Sequence, residues 1–287
     1  MEKGIKPTGA RGKILKIFFR NRTSVVGAGI SLIMLFIAVF APWISPYDPL
    51  KQNVYHRLTP PEHSNLLGTD EYGRDVLSRV FTGARISFLI SLVSVAFGMV
   101  IGTLVGVIAG YAGGKVESAL MRLLDIIMSF PDEVFGVMVM IVLGSGMENV
   151  IVAITFLMIP RFARMAHAPT LAIKEVDYIA SARAIGASRY RIVLGHILPN
   201  IFGEILVMST LWLGTAIRLE ASLSFLGVGV PPPTPTLGNM VRMGVDFLAV
   251  APWISVFAGL AILVAIFGFN LLGDGLRDIT DPKLYAR

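Results

Sequence analysis

The sequence predicts an all-α membrane protein with six transmembrane helices and both termini in the cytoplasm. Three observations carry that prediction. Of 287 residues, 54% are apolar and only 15% charged, with mean hydropathy +0.72, whereas a soluble domain carries roughly a quarter charged residues. The apolar residues gather in runs near the length of about 20 that a helix needs to cross about 30 Å of hydrocarbon. Basic residues collect in the N-terminal segment and one internal loop, while another long polar stretch is charge-balanced. Lys and Arg excess marks the cytoplasmic side of a membrane protein.

Residues 1–23 form the basic cytoplasmic N-terminus, with Lys3, Lys6, Arg11, Lys13, Lys16, Arg20 and Arg22 set against Glu2. Such a flank anchors the first span and can meet anionic headgroups. No short apolar core with a small-residue cleavage site is present there, so no removed signal peptide is expected. Residues 24–44 make the first span. Residues 45–85 balance Lys51, Arg57, Arg74, Arg79 and Arg85 against Asp48, Glu62, Asp70, Glu71 and Asp75, which places them outside. Asp75 is positioned to cap a short amphipathic helix whose Val76, Leu77, Val80 and Phe81 share a face, so this helix is expected on the membrane surface.

Residues 86–282 hold five further spans. The second, 86–109, carries Ser94, Gly98, Gly102, Gly106 and Gly110 at four-residue intervals, a stripe that lets helix backbones approach closely in lipid. Whether the neighbour lies in this chain or another is open. The third, 123–144, contains Pro131, expected to loosen the helix, followed by Asp132 and Glu133. A carboxylate inside a span costs at least about 2.5 kcal/mol and so faces a partner or a watery cavity. Two readings stand: the pair lines a pathway and favours cationic groups, or an Arg or the headgroups neutralise it. A GSGMEN turn leads into the fourth span, 150–160, continued less apolarly to 168.

The loop at 161–200 sets Arg161, Arg164, Lys174, Arg183, Arg189 and Arg191 against Glu175 and Asp177, which puts it inside. Its apolar positions Leu171, Ile173, Val176, Ile179, Ala180, Ala182 and Ile185 suit a short amphipathic helix. Gly186 is placed to end that helix with positive φ, and Ser188 to cap a second one running to Pro199. A capped helix held outside the bilayer by two spans is a handle for another protein. The fifth span, 201–225, bears Glu204 near its inner end and Arg218 and Glu220 near its outer end. Such end positions either snorkel to the interface or serve a pathway. Prolines at 231–235 stiffen an outer loop, 252–272 is the sixth span, and 283–287 is a cytoplasmic tail.

Several chemistries are excluded. With no cysteine, disulfides, zinc thiolates and Cys nucleophiles cannot form. The net charge of +6 is not gathered into an aromatic-laced patch, so no nucleic acid is expected. There is no G-x-x-x-x-G-K-[ST] phosphate loop, H-E-x-x-H or G-x-S-x-G. His56, His63, His167 and His196 are too scattered in the sequence for a preformed metal site.

Four stretches then carry a resemblance. KEVDYIASARAIGASRYRIVLGHILPN (174–200) resembles the EAA loop of ABC-importer permeases, with Gly186 at the glycine and Leu198–Pro199 at the L-P position. Ala180, Ser181 and Ala182 stand where Glu-Ala-Ala is usual, and His196 where an aliphatic residue is common. LGTDEYGRDVLSR (67–79), FLGVGVPPPTPTLGNM (225–240) and FNLLGDGLRDITDP (269–282) resemble the C-type permease of dipeptide, oligopeptide and nickel importers. Asp132 and Glu133 depart from that pattern, which is usually apolar there.

The resemblance spans about 17–282 and implies a type I ABC importer permease fold with no enzymatic activity or cofactor of its own. It implies a second homologous permease subunit, two ATPase subunits that bind ATP and Mg, an extracytoplasmic substrate-binding protein, and the lipid bilayer as surroundings. The segment at 45–85 is then either a lid packed on the spans or a docking site for the binding protein. ATPase coupling falls to Val176, Asp177, Tyr178, Ile179, Ala180, Ser181, Ala182, Arg183, Ala184, Ile185 and Gly186. Asp132, Glu133, Arg218 and Glu220 are the pathway candidates. The competing expectation is an ion-gradient-driven secondary transporter using Asp132 and Glu133 as ion ligands. Peptides, nickel chelates, glutathione and oligosaccharides are all carried by such permeases.

Overall fold

In hydrocarbon every backbone N–H and C=O must be bonded inside the protein, which leaves an open chain only helices. A computed structural model describes Phe19 and residues 21–280, and these residues are helical wherever they are long and apolar. The basic residues before Phe19 and the tail at 283–287 lie outside the described residues.

Helix α1 (Arg22–Ile44) starts at Asn21, whose side chain accepts from Thr23 N at 3.1 Å. Helix α2 runs from Val76 to Ala112 and α3 from Gly114 to Met128. Helix α4 (Asp132–Leu143) follows, then α5 (Met147–Lys174) and α6 (Asp177–Ala184). A short α7 (Arg189–Ile192) passes through a π turn (Val193–Ile197) into α8 (Leu198–Phe225) without a break. Helix α9 (Leu237–Val245) and α10 (Trp253–Thr280) complete the described chain. Among the described residues five helices are long and apolar enough to cross a membrane: α1, α2, α5, α7–α8 and α10. The bent pair α3–α4 makes the sixth candidate.

The core forms where α2, α5 and α8 meet, around buried Ile90, Met158, Phe162 and Leu219. Trp212 packs edge-on against Phe162, with ring centroids 4.3 Å apart. The small-residue stripe of α2 faces α5 of the same chain. Ser94 Oγ donates to Ile151 O at 3.2 Å. A Cβ on Gly102 would stand 2.5 Å from Ile159 O, and one on Gly110 would stand 3.0 Å from His167 O. Helix α1 lies along α10, where a Cβ on Gly27 would run into the backbone of Leu271 and Leu272.

Three expectations are corrected. The surface helix after Asp75 does not exist as a separate element. Asp75 does cap a helix, accepting from Ser78 N at 2.8 Å, but that helix continues through residue 112 because nothing between 76 and 112 breaks it. Its first turns are buried rather than on a membrane surface, with Val76 and Arg79 almost fully covered. The third span is not one loosened helix: α3 ends before Pro131 and α4 leaves at 93°. The loop helix does not begin near Leu171, since Leu171 and Ile173 belong to α5 and the chain turns at Glu175–Val176.

The segment between α1 and α2 is fixed by buried charge. Arg74 Nε meets Asp70 Oδ2 at 2.6 Å and Arg79 Nε meets the same oxygen at 3.2 Å. Arg79 also donates to Pro49 O at 3.1 Å, and Trp253 Nε1 of α10 donates to Thr69 O at 3.1 Å. Burial pushes the Glu71 carboxyl above its ordinary pKa of 4.5, helped by the neighbouring Asp70 charge; Arg74 and Arg79 oppose the shift.

Candidate functional site

Two places collect the residues singled out by sequence. The first is the loop between α5 and α8. Its helix α6 ends in a complete Schellman motif: Gly186 has φ +83°, its N–H donates to Arg183 O at 3.0 Å, and Ala187 N–H donates to Ala182 O at 3.0 Å. Those bonds satisfy carbonyls that a helix end otherwise leaves bare. Ser188 then caps α7 through Arg191 N at 3.3 Å.

Only Ile179 of α6 is fully buried, in the core cluster with Ile192 and Ile197. Ile185 and Ala180, expected on the apolar face, are exposed, Ile185 to 86%. Eight residues make little more than two turns, too short for a continuous buried stripe. The helix therefore has a single buried anchor and presents Tyr178, Ile185 and its polar residues outward. Asn200 Nδ2 donates to Tyr178 Oη at 3.4 Å, and the Arg183 guanidinium lies 5.4 Å from the centre of the Tyr111 ring. These contacts tie α6 to α8 and to the end of α2.

The second place is the bend between α3 and α4. Asp132 and Glu133 occupy the first turn of α4. Asp132 Oδ2 accepts from Arg161 of α5 at 2.5 Å and lies 3.8 Å from Arg218 of α8. Glu133 pairs with Arg218. Two cations and two anions thus share one cluster with no net charge. The acidic pair therefore presents no unmatched negative surface, which favours neutralisation by Arg, the second of the two readings, over a site favouring cationic groups.

Sequence reasoning placed Asp132, Glu133 and Arg218 among the candidates, and the fold brings them together. It missed Arg161, counted there only as a loop charge, because no spacing rule links residues on α4, α5 and α8. Glu220 does not join them. It is fully buried between α8, α2 and α9, accepts from Ser224 Oγ at 2.7 Å, and neither snorkels nor lines a groove. Another pair was invisible in the sequence: His167 Nε2 contacts Glu117 Oε1 at 2.8 Å, joining α5 to α3. Among the described residues no three His, Asp or Glu side chains gather as metal ligands.

Beside the cluster opens a groove of about 420 Å³ lined by Glu133, Arg218, Phe225, Leu226, Val241 and Ile262, among others. Helix α9, between the proline loop at 231–235 and the sixth span, supplies one wall. Thr236 caps it, accepting from Asn239 N at 3.2 Å, and Asn239 Nδ2 donates to Val230 O at 2.5 Å.

Residues 102–285 match the family described as binding-protein-dependent transport system inner membrane component. The chain belongs to this family. Residues 12–61 match the N-terminal transmembrane domain of oligopeptide transport permease C. Among its relatives, the glutathione transport system permease protein GsiD of Pectobacterium atrosepticum is 41% identical, with 93% of this chain and 89% of that protein covered. The di/tripeptide transport system permease protein DppC of Pseudomonas aeruginosa is 39% identical, covering 93% and 90%.

In fold, the chain is similar to a chain of the inward-facing MetNI methionine ABC transporter, with TM-score 0.57 and 22% identity. The likeness covers 71% of this chain and 98% of that one. This binding-protein-dependent permease is therefore a multi-pass inner-membrane subunit of a bacterial ABC importer, a transport component and not an enzyme. The secondary-transporter reading falls on the same finding. Asp132 and Glu133, which it needed as ion ligands, are tied to Arg161 and Arg218 instead.

Proposed function

We propose that this permease forms half of a membrane pathway for peptides or related small solutes, beside a second homologous permease. Two separate ATPase subunits bind ATP and Mg and drive it, and an extracytoplasmic binding protein delivers the solute. The names of the relatives at about 40% identity supply the solute class.

One observation carries the coupling part. Helix α6 is capped at its C-terminus, has Ile179 as its one buried anchor, and exposes residues such as Tyr178 and Ile185. A docked ATPase that displaced α6 would move α7–α8 through Ile179 and Tyr178, and α8 carries Arg218. In this reading residues 176–186 are the coupling element, the loop faces the cytoplasm with both termini, and Asp132, Glu133 and Arg218 border the pathway.

The test is purification of the tagged chain from its own membrane, identification of what accompanies it, and ATP-driven uptake of di- and tripeptides after reconstitution. Co-purifying ATPases and a second permease support the reading; a homo-oligomer without ATPase overturns it. Replacing Gly186 by Val forces a β-branched residue into the left-handed region, at about 1–2 kcal/mol. Uptake is expected to fall on the order of tenfold with insertion intact, taking 1.4 kcal/mol as tenfold. Unchanged uptake would remove α6 from the coupling path.

A further inference from the structure

We propose that the groove beside the α3–α4 bend binds both charged ends of a zwitterionic peptide, Arg218 taking its carboxylate and Glu133 its ammonium group. The proposal rests on the peptide-import reading above and specifies which groups of the solute that pathway recognises.

Size and lining come first. Small-molecule sites commonly enclose about 300–1,000 Å³, with mostly apolar walls and a few placed polar groups. This groove has about 420 Å³, walls that include Phe225, Leu226, Val241 and Ile262, and only two charged residues lining it, Glu133 and Arg218. Those two side chains are 38% and 44% exposed, while Asp132 and Arg161 behind them are 28% and 21% exposed. The outer pair lines the groove and can be reached by a solute; the inner pair stands behind it and does not line the groove.

Charge balance then selects the ligand. Without solute, Arg218 and Glu133 satisfy each other. A cation that took Glu133 would leave Arg218 only the longer contact to Asp132, which already serves Arg161, and the cluster one positive charge in excess; an anion that took Arg218 would leave Glu133 without its partner. Either outcome leaves a net charge in the cluster, a cost that the partial exposure of the pair lowers but does not abolish. A zwitterion exchanges the internal pair for two intermolecular pairs and leaves nothing stranded. Asp132, 2.5 Å from Arg161 and 3.8 Å from Arg218, keeps the cluster neutral throughout and holds the guanidinium near the groove while Glu133 is engaged elsewhere. The apolar walls take the peptide side chains without demanding particular ones.

The complete transporter, purified with its permease and ATPase partners, is reconstituted in nanodiscs without its binding protein and titrated calorimetrically. The probes are trialanine, N-acetyl-trialanine and trialanine amide. Trialanine is expected to bind, and each blocked peptide to bind at least tenfold more weakly, because each supplies only one charge. The double variant Glu133→Gln with Arg218→Gln, which keeps the cluster neutral, is expected to lose at least tenfold in trialanine affinity and all preference for free termini.

Equal binding of free and blocked peptides by the wild type overturns the proposal without recourse to any variant. So does a double variant that still prefers trialanine. Uptake in proteoliposomes with the binding protein present separates the two levels. Wild-type uptake that persists unaltered in the double variant overturns the groove alone, whereas a wild type that imports no peptide overturns the peptide reading and the groove with it.

Discussion

Glu71 shows how one residue can link pH to the integrity of the segment between α1 and α2. Its carboxyl is held above 4.5 chiefly by burial and then by Asp70. A group that binds its proton more tightly folded than unfolded stabilises most below its unfolded pKa, and that contribution is lost as pH rises through the folded value. The stability of the purified protein is therefore expected to decline from about pH 4.5 upward through the raised pKa, and Glu71→Gln to flatten that part of the profile. Thermal unfolding followed across this range checks it, and a wild-type profile as flat as the variant's would count against it. Residue-scale rules were also the most readable ones. The Asp75 and Ser188 caps and the positive φ of Gly186 each depend on a few neighbouring atoms. Arg218 and Glu220, two residues apart near one helix end, look alike in sequence, yet one lines a groove and the other is sealed between helices. Their difference lies in what α4, α2 and α9 bring to them, which no local pattern contains.

At the scale of elements, the α2–α5 contact leaves no room for added side chains. A Cβ on Gly106 would drive into the carbonyl oxygen of Ala163, and one on Gly98 into Met158 Cβ. Backbone atoms of α5 cannot step aside as a side chain does. Gly106→Leu is expected to cost about 1–3 kcal/mol or more, the usual range for overpacking, read as a lowered melting temperature of the purified protein. Gly29→Leu on α1, where nothing stands within 4 Å of the added carbon, is the control that should leave it nearly unchanged. The four-residue repeat disclosed this packing face but not its neighbour, because a stripe specifies close approach and not a partner. Element ends were harder. Helix α2 absorbs the supposed surface helix because hydropathy changes where a helix enters the membrane, while the backbone hydrogen bonds continue. Helix α9 was missed because LGNMVRMGV follows a proline run and is too short for its period to stand out.

At the scale of the molecule, the sidedness of the chain turns on the bent pair. Helices α3 and α4 have 15 and 12 residues, or legs of about 22 and 18 Å at 1.5 Å per residue. If a right-angle bend leaves both legs tilted about 45°, they cover about 28 Å of depth, close to the hydrocarbon thickness of about 30 Å. Counted as one crossing, the pair puts the α1–α2 segment and the α6 loop on opposite faces. Counted as a re-entrant loop, it would put them on the same face. The chain contains no cysteine, so each introduced thiol is unique. Tyr55, 94% exposed, and Ile185, 86% exposed, mark the two segments. In spheroplasts, a membrane-impermeant maleimide is expected to label Tyr55→Cys directly and Ile185→Cys only after permeabilisation. Labelling of both in intact spheroplasts would make α3–α4 re-entrant and put α6 on the face that no cytoplasmic ATPase can reach. The parity of one kinked helix pair thus decides whether the loop can couple to ATP hydrolysis at all.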